Sequence, residues 1–353
     1  MLWTQDYVSR GDFVENKNIL EVKNLRTSFF THVGEVKAIR GVGFHLKEGE
    51  AIGIVGESGS GKSVTSMSIM KLIQDPGKIV DGEIIFKEKD LVEFTQKEMQ
   101  KIRGNEIAMI FQDPMTSLNP VFTIGNQIIE VIRKHKKMSK KEARKKAIEM
   151  LTLVGIPSPD KRVDQYPHEF SGGMRQRAMI AMALSCEPSL LIADEPTTAL
   201  DVTIQAQILE LMKNLKNEIN TSIILITHDL GVVADVCSRI IVMYGGLIME
   251  EATSEEIFYN PKHPYTKGLL KSIPKIDLGE SQRLIPIEGT PPDLLNPPKG
   301  CPFAARCSDS MRICKEKQPP YFYTNEEHRA MCWLLHEDAP KTDTKAKGGI
   351  AIG

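Results

Sequence analysis

GESGSGKS, at residues 56–63, is the most informative stretch of the sequence. It matches G-x-x-x-x-G-K-[S/T], a loop whose backbone N–H groups surround the β- and γ-phosphates of a nucleotide. The apolar run at 51–55 predicts a buried strand before the loop, and residues 64–73 predict a helix after it. Such a helix directs unpaired N–H donors at an anion. We therefore expect Lys62 to reach the phosphates and Ser63 to bind Mg²⁺.

The composition of the chain is that of a globular protein. Its 353 residues suffice for one large domain with an extension, or for two domains. A formal net charge of -1 gives no overall attraction to nucleic acid or anionic lipid. No apolar run is long enough to span a membrane, and the first residues lack the pattern of a signal peptide. We expect the chain to stay in the cytoplasm.

Several predicted strands end on polar residues. Strands are predicted at 19–25, 36–47, 51–55, 82–87, 107–111, 190–193 and 222–227. The last three lead into Gln112, into Asp194 with Glu195, and into His228. In a nucleotide-binding α/β sheet, metal and water contacts lie at the carboxyl ends of the strands. Two adjacent carboxylates at such an end suit Mg²⁺ and an attacking water.

A second anion-binding position is predicted beyond the loop. Ser171, Gly172 and Gly173 come just before an apolar helix, so its N-terminus can also hold an anion. One nucleotide seldom needs two such cradles in a single chain. Upstream of the loop, Phe29 or Phe30 can stack on adenine, and a core position is the alternative for either ring.

The segment at about 114–177 is predicted to be mostly helical. Ser139 and Glu142 have the spacing of a capping box, and Gly155 with Pro157 ends that helix. The opposite face of the helix is basic. A solvated face is favoured there over a patch for nucleic acid or lipid.

The order of these pieces resembles the nucleotide-binding subunits of ABC (ATP-binding cassette) transporters. The matching motifs are GESGSGKS (Walker A), Gln112 (Q-loop), FSGGMRQR at 170–177 (signature), LLIADE at 190–195 (Walker B), TTALD at 197–201 (D-loop) and His228 (switch histidine). The resemblance covers roughly residues 19–275. The usual LSGGQ signature reads FSGGM here, but the serine and glycines that contact phosphate are kept.

Three further motifs resemble the ATPase subunits of the oligopeptide and dipeptide permease subfamily. They are HPYTKGLL at 263–270, GTPPDL at 289–294 and CPFAARC at 301–307. Within that subfamily the pattern is most similar to oligopeptide permease ATPases, which pair with a second, non-identical ATPase. Dipeptide, nickel and glutathione importers share much of it.

The resemblance implies an α/β fold, the P-loop NTPase cassette of the ABC type. This fold has a mixed sheet core, an antiparallel β subdomain and a helical subdomain. The expected divisions are a flexible lead-in at 1–17, an ATPase domain at 18–275 with the helical subdomain at about 114–177, a C-terminal extension at 276–338 and a flexible tail at 339–353.

The resemblance also implies a role for each motif residue. Glu195 is the general base, and Lys62, Gln112 and His228 complete the catalytic set. Mg²⁺ is held by Ser63, Gln112 and Asp194. The residues implied to contact ATP are Phe29, Gly56, Ser58, Gly59, Ser60, Gly61, Lys62, Ser63 and Val64. Ser171, Gly172, Gly173 and Asp201 act across a dimer, where the signature of one subunit covers the nucleotide held by the other.

The implied function is ATP hydrolysis that powers uptake of oligopeptides or dipeptides. The implied partners are a second ATPase subunit, two transmembrane permease subunits and an extracytoplasmic substrate-binding protein, with no nucleic acid. The chain would lie on the cytoplasmic face of the cell membrane. Alternatives are a nickel or glutathione importer, or an ABC ATPase that acts on ribosomes or DNA; the latter usually carries two cassettes, whereas this chain has one Walker A and one signature.

Four of the six cysteines cluster near the end of the chain. Cys301, Cys307, Cys314 and Cys332 have the spacing C-x5-C-x6-C-x17-C, whereas structural zinc usually shows closer pairs. Four thiolates can hold a 4Fe-4S cluster, and zinc or unligated thiols are the alternatives. Some members of the permease subfamily carry such a cluster in this extension, so the resemblance favours iron-sulfur. The isolated Cys186 and Cys237 are predicted to be small core residues.

Overall fold

The computed structural model describes residues 17–112, 117–197, 201–219, 221–273 and 286–340. Its strands are β1 (Asn18–Thr31), β2 (Gly34–Lys47), β3 (Ala51–Val55), β4 (Gly77–Phe86), β5 (Lys89–Asp90), β6 (Ile107–Ile110), β7 (Leu190–Asp194), β8 (Ser222–Thr227), β9 (Arg239–Tyr244), β10 (Leu247–Thr253), β11 (Phe322–Asn325) and β12 (His328–Ala330). The predicted lead-in, tail and most of the D-loop lie largely or wholly outside the described residues.

The helices of the described residues follow the same chain order. They are α1 (Lys62–Ile69), α2 (Gln96–Ile102), α3 (Ile124–His135), α4 (Lys140–Leu153), α5 (Pro159–Arg162), α6 (Gly172–Leu184), α7 (Val202–Ile219), α8 (Leu230–Ala234), α9 (Ser254–Tyr259), α10 (Pro264–Lys271) and α11 (Arg312–Glu316). Within the ranges that the structure describes, none of them has the length and apolar character needed to cross a bilayer.

Eight strands form the central sheet, in the order β11-β12-β10-β9-β3-β8-β7-β6. The five strands from β9 to β6 are parallel, and β10, β12 and β11 continue the sheet in antiparallel fashion. Every residue of β3, β7 and β8 is buried, as expected for parallel strands covered on both faces. The predicted mixed sheet is confirmed.

Successive residues of β3 serve two different cores. Ile52 and Ile54 face a second sheet, β2-β1-β4-β5, and share a hydrophobic cluster with its Leu46. Ala51 and Val55 face the helices and belong to the other cluster. This alternation follows from the period of two along a strand. The strand that leads into the phosphate-binding loop is thereby held from both sides.

Strand β1 extends beyond its predicted end, over residues that are polar but buried. Thr27 and Ser28 are 0% and 2% exposed, and the hydroxyls of Thr27 and Ser68 lie 2.9 Å apart. Because strands are predicted from the pattern of apolar residues, the predicted strand ends before these polar ones. The pairing nevertheless continues to Thr31, which lies opposite Gly34 at the hairpin turn.

Helix α1 ends earlier than predicted. Its last turn closes with hydrogen bonds from the Lys71 N–H to Ser68 and from the Leu72 N–H to Met67, and Lys71 adopts a φ of 51°. This hydrogen-bond pattern is a Schellman motif, but lysine stands where glycine is usual. The end of the helix could therefore not be predicted from the sequence.

Helices α3, α4 and α6 pack together beyond β6, as predicted for a helical subdomain. The capping box of α4 is confirmed: the Glu142 N–H donates to Ser139 Oγ at 3.3 Å, and the Ser139 N–H donates to Glu142 Oε2 at 2.8 Å. Cys186 and Cys237 are buried, also as predicted.

The C-terminal region, taken as the described residues from 263 onward, joins the central sheet. Strand β12 pairs with β10, with Ala330 opposite Glu250. Upstream of it, the Lys37 N–H of β2 donates to the carbonyl of Leu294 at 2.9 Å. The division into an ATPase domain and a separate extension stays a prediction.

Candidate nucleotide-binding and active site

The phosphate-binding loop connects β3 to α1, and two glycines fix its path. Gly61 is the N-cap of α1 with a φ of 104°, a conformation that side chains disfavour. A Cβ there would lie 2.7 Å from Cδ1 of Ile39. A Cβ on Gly56 would lie 2.2 Å from the carbonyl oxygen of Met243 in β9. The loop can lie against β2 and β9 only with glycine at both places.

Lys62 points back into the loop. Its Nζ donates to the carbonyls of Gly56 at 2.7 Å and Glu57 at 3.1 Å, and the residue is only 5% exposed. Burial lowers the pKa of Lys62, while the negative charges of Glu195, Asp194 and Glu57 oppose that shift. The ammonium group is therefore held where the loop would surround phosphate.

Ser63 joins the loop to the end of β7. Its hydroxyl donates to Asp194 Oδ1 at 3.0 Å. Burial raises the pKa of Asp194 and the charge of Glu195 adds to the rise, whereas the hydrogen bond from Ser63 opposes it. A hydroxyl and a carboxylate are oxygen ligands of the kind that Mg²⁺ prefers.

Glu195 lies between Gln112 and His228. Gln112 Nε2 donates to Glu195 Oε2 at 2.9 Å, and His228 Nδ1 lies 3.4 Å from Glu195 Oε1. The backbone of Glu195 has a φ of 48°, and its N–H donates to the carbonyl of Ile226 in β8 at 2.8 Å. This sharp turn just after β7 places the carboxylate at the edge of the sheet. The His228 side chain is 62% exposed and that of Glu195 15% exposed.

The structure thus brings four predicted groups to one edge. The loop follows β3, Gln112 comes just after β6, Asp194 and Glu195 stand at the end of β7, and His228 follows β8. The four strands are consecutive and parallel in the order β3-β8-β7-β6. Their carboxyl ends therefore lie at the same edge of the sheet. The placement agrees with the prediction, while the role of each residue stays a proposal.

The loop residues fit a bound nucleotide phosphate and Mg²⁺. Ser60 Oγ is buried and has no hydrogen-bond partner among the described residues. A Cβ on Gly59 would meet nothing within 4 Å, so the loop is open there. Ser58 is exposed, and Val64 lies in the first turn of α1. A buried hydroxyl without a partner and a buried ammonium group in the same loop suit an anion with several acceptor oxygens.

The signature residues contact another part of the chain. Ser171 is the N-cap of α6 and accepts a hydrogen bond from the Met174 N–H at 3.3 Å. A Cβ on Gly173 would lie 2.9 Å from Cγ2 of Ile204, whose N–H donates to Asp201 Oδ1 at 2.9 Å. A Cβ on Gly172 would meet nothing within 4 Å. The signature and Asp201 therefore meet at the start of α7, and D-loop residues 198–200 lie outside the described residues.

The two phenylalanines of β1, Phe29 and Phe30, differ in their exposure to solvent. Phe29 is half-buried, and a Cβ on Gly77 would lie 2.7 Å from its ring. Phe30 is 46% exposed, with Lys78 Nζ 5.7 Å from its ring centroid. The stacking of Phe29 on adenine stays a prediction.

Comparison with known proteins identifies the family. The chain is 63% identical over 326 residues to the oligopeptide transport ATP-binding protein OppD of Bacillus subtilis, covering 92% of this chain and 91% of that protein. It is 58% identical over 324 residues to the dipeptide transport ATP-binding protein DppD of the same organism, covering 92% and 96%. This chain belongs to the ABC transporter ATPases. The family profiles agree: "ABC transporter" matches residues 39–198, and "Oligopeptide/dipeptide transporter, C-terminal region" matches residues 249–314.

Solved structures confirm the cassette fold of this ABC ATPase. A dimeric, post-hydrolysis structure of the ATP-binding cassette MJ0796 bound to ADP and Pi gives a TM-score of 0.61 at 30% identity, covering 67% of this chain and 98% of that one. CbiO1 of Clostridium perfringens gives 0.60 at 28% identity, covering 69% and 91%. The predicted family, fold and ATPase activity are confirmed, and the relatives agree with the predicted function, an ATP-driven peptide importer subunit.

Sequence reasoning missed one group at the site of this ABC ATPase. Glu57 stands at a variable position of the loop pattern. Its carboxylate accepts hydrogen bonds from both Nη atoms of Arg306, at 2.5 and 2.9 Å. Its N–H donates to the hydroxyl of Tyr265 at 2.9 Å. Tyr265 and Arg306 lie inside HPYTKGLL and CPFAARC, motifs that served only to identify the subfamily. Their position inside subfamily motifs indicated that both residues matter, but the sequence does not show what they contact.

The predicted 4Fe-4S cluster is wrong. The described part of the chain, which includes all four clustered cysteines, has no group of three or more His, Cys, Asp or Glu side chains able to hold a metal ion. The four cysteines line a cavity of about 10 Å³, room for one water. Burial raises the pKa of Cys301 to about 11 and that of Cys332 to about 12. Burial thus favours the neutral form of these two thiols, and Cys301 and Cys332 pack as small apolar side chains.

Proposed function

We propose that this ABC ATPase hydrolyses ATP to drive the uptake of oligopeptides or dipeptides through a membrane permease. The observation that carries the proposal is the meeting of the phosphate-binding loop, Gln112, Glu195 and His228 at one sheet edge. The peptide transport proteins named above, at 63% and 58% identity, support the cargo class. Their names favour peptides over the nickel and glutathione alternatives.

Glu195 is the proposed general base. Its carboxylate is held by the amide of Gln112 and lies beside His228, so one oxygen can take the proton of a water while the other stays anchored. Lys62 binds phosphate oxygens with its ammonium group. Ser63, Asp194 and Gln112 hold Mg²⁺, which when bound neutralises charge on the phosphates. Catalysis by these residues is mainly positioning and electrostatic stabilisation.

The signature is proposed to act on the nucleotide of a second ATPase subunit. Ser171 and Gly172 stand at the N-terminus of α6, and a Cβ on Gly172 would meet nothing within 4 Å, so this end of the helix is open to approach. Asp201 would contact the partner across the same interface. The cassette MJ0796 is dimeric in its post-hydrolysis structure. The second subunit is proposed to be a non-identical ATPase.

Exposed apolar side chains shortly before and after Gln112 in the sequence are the proposed contact with the permease subunits. Phe111, Val121 and Phe122 are 39%, 70% and 51% exposed. Gln112 contacts Glu195, so a change at the proposed base can be passed to these side chains through Gln112. Two transmembrane permeases and an extracytoplasmic substrate-binding protein complete the proposed transporter, with this chain on the cytoplasmic face of the membrane.

Co-purification with an affinity tag on the full chain tests the proposal. Membranes solubilised in mild detergent should yield two multi-span permeases, a second ATPase and a peptide-binding protein. Peptides eluted from that binding protein would identify the cargo. Recovery with ribosomes or DNA, or with a binding protein that carries nickel or glutathione, would contradict the proposal.

A further inference from the structure

The C-terminal region reaches the phosphate-binding loop through Arg306. Both Nη atoms of Arg306 bind the two carboxylate oxygens of Glu57, and the Arg306 side chain is 5% exposed. Three further acceptors fix the guanidinium: the carbonyls of Ile287 and Glu288 at 2.8 and 2.9 Å, and the Tyr244 hydroxyl at 3.1 Å. A bidentate pair with every donor directed is geometrically specific.

Aromatic packing holds Tyr265 beneath the loop. Its ring centroid lies 4.6 Å from that of Tyr244 and 5.2 Å from that of Phe303. Tyr265 is fully buried, and its hydroxyl accepts the N–H of Glu57. Backbone and side chain of the same loop residue are thus held by two different C-terminal motifs.

Glu57 is an unfavourable residue for a loop that binds phosphates. Its charge acts on Lys62, whose ammonium also donates to the Glu57 carbonyl. An uncompensated carboxylate at this position would repel a nucleotide anion. Arg306 compensates that charge without occupying the loop, and the hydrogen bonds to Glu57 hold the pKa of Arg306 above its ordinary value.

We infer that Arg306 and Tyr265 are positioning residues of the nucleotide site, through which the C-terminal region raises the affinity for ATP. Arg306 neutralises Glu57, and Tyr265 fixes its backbone. The pair joins the two family-matched regions, since Glu57 falls within 39–198 and Arg306 within 249–314. The inference rests on the proposed role of the loop in binding ATP and is independent of the cargo.

Other contacts keep the C-terminal segment in place without Arg306. A Cβ on Gly245 would lie 3.1 Å from both Pro292 and Pro302, so this segment packs directly against the turn between β9 and β10. The hydrogen bond from Lys37 to Leu294 adds a second attachment. We therefore expect a variant that lacks the Arg306 charge to keep its fold.

The test measures KM and kcat for ATP on the transporter complex purified through a tag on this chain, and binding of a fluorescent ATP analogue on the full chain. Arg306→Ala should raise KM about tenfold and leave kcat within about twofold, since it weakens binding and not chemistry. Adding Glu57→Gln to Arg306→Ala should return KM to within about threefold of the unsubstituted chain, because the repelling charge is gone. Arg312→Ala is the matched control, since that arginine is 92% exposed and pairs with Glu316.

The outcomes separate the possibilities. If Arg306→Ala lowers the melting temperature but leaves KM unchanged, the pair is structural and the inference is wrong. If the double variant binds ATP as weakly as Arg306→Ala alone, the charge argument is wrong. If Arg306→Ala does not fold, Tyr265→Phe decides: KM should rise about threefold, and an unchanged KM overturns the inference. An unsubstituted chain that fails to bind ATP would instead overturn the proposed function.

Discussion

Glu195 shows how backbone geometry can place the carboxylate of the proposed general base. A positive φ is uncommon for a residue with a side chain, and here it is accompanied by the hydrogen bond from the Glu195 N–H to the carbonyl of Ile226. The Pro196 carbonyl is held in turn by Gln176 Nε2 at 2.5 Å, from the helix that carries the signature. The proposed base is therefore connected by hydrogen bonds to the sheet and to the helical subdomain.

Glu195→Gln is expected to reduce the ATPase rate by about 100-fold or more, because the amide cannot accept the proton of water. The variant should still bind ATP and should accumulate as a closed pair of ATPase subunits. Phosphate release and size-exclusion chromatography with ATP measure the two effects. Glu316→Gln, on the exposed end of α11, is the control. A Glu195→Gln variant with the normal rate would show that another group is the base.

Ser63→Ala is expected to raise the Mg²⁺ concentration required for half-maximal ATPase activity about tenfold, because one of the oxygen ligands is lost. The substitution also removes the hydroxyl that donates to Asp194. A Mg²⁺ titration of the ATPase rate checks this. Thr203→Ala, at an exposed position of α7, provides the control. An unchanged Mg²⁺ requirement would exclude Ser63 as a ligand.

At the scale of elements, the strands that end at the site could be predicted well. The predicted strand at 222–227 matches β8, and those at 107–111 and 190–193 match β6 and β7 within one residue. Each is a short apolar run that ends in a polar residue, and burial on both faces makes such runs continuous. The ends of β1 and α1 were missed because buried Thr27 and left-handed Lys71 break the usual sequence rules.

The capping box of α4 provides a test at this scale. Ser139→Ala should reduce the free energy of unfolding by about 1 kcal/mol, because the Glu142 N–H loses its acceptor. Chemical denaturation of the full chain measures the change. Ser308→Ala, at an exposed serine of the C-terminal region, should have almost no effect. Equal effects of the two substitutions would show that the cap does not stabilise α4.

At the scale of the whole molecule, a buried histidine connects the C-terminal strands to the cassette. His328 Nε2 lies 2.8 Å from Glu250 of β10, and its Nδ1 lies 3.1 Å from Glu256 of α9. Burial alone would lower the pKa of His328, but the two carboxylates outweigh it and the pKa is raised. The pKa values of Glu250 and Glu256 are lowered, so both stay charged near neutral pH.

Stability should therefore fall as the pH rises through the raised pKa of His328. A group with a raised pKa stabilises the fold fully below its unfolded value, here 6.5, and loses that effect above its folded value. The melting temperature should drop more between about pH 6 and pH 9 for the unsubstituted chain than for His328→Gln. Asn325→Gln, at the exposed end of β11, is the control because it changes no titratable group. Equal pH profiles would contradict the predicted charge on His328.

Long-range contacts were the part of the site that the sequence did not reveal. Motif order located the loop, Gln112, Glu195 and His228, because parallel strands bring their carboxyl ends together. The pairing of Arg306 with Glu57 joins residues 249 positions apart in the sequence, and no local pattern encodes it. The four cysteines show the opposite error: their proximity was predicted, but the small cavity that they line depends on packing that spacing does not describe.

Uptake of a labelled oligopeptide by cells whose own copy of this chain has been deleted tests the central claim most directly. Cells supplied with the unsubstituted chain should accumulate the peptide, and cells supplied with Glu195→Gln should not, although both chains assemble with the permease. Equal uptake by both would contradict the account, because transport would then be independent of ATP hydrolysis at this site.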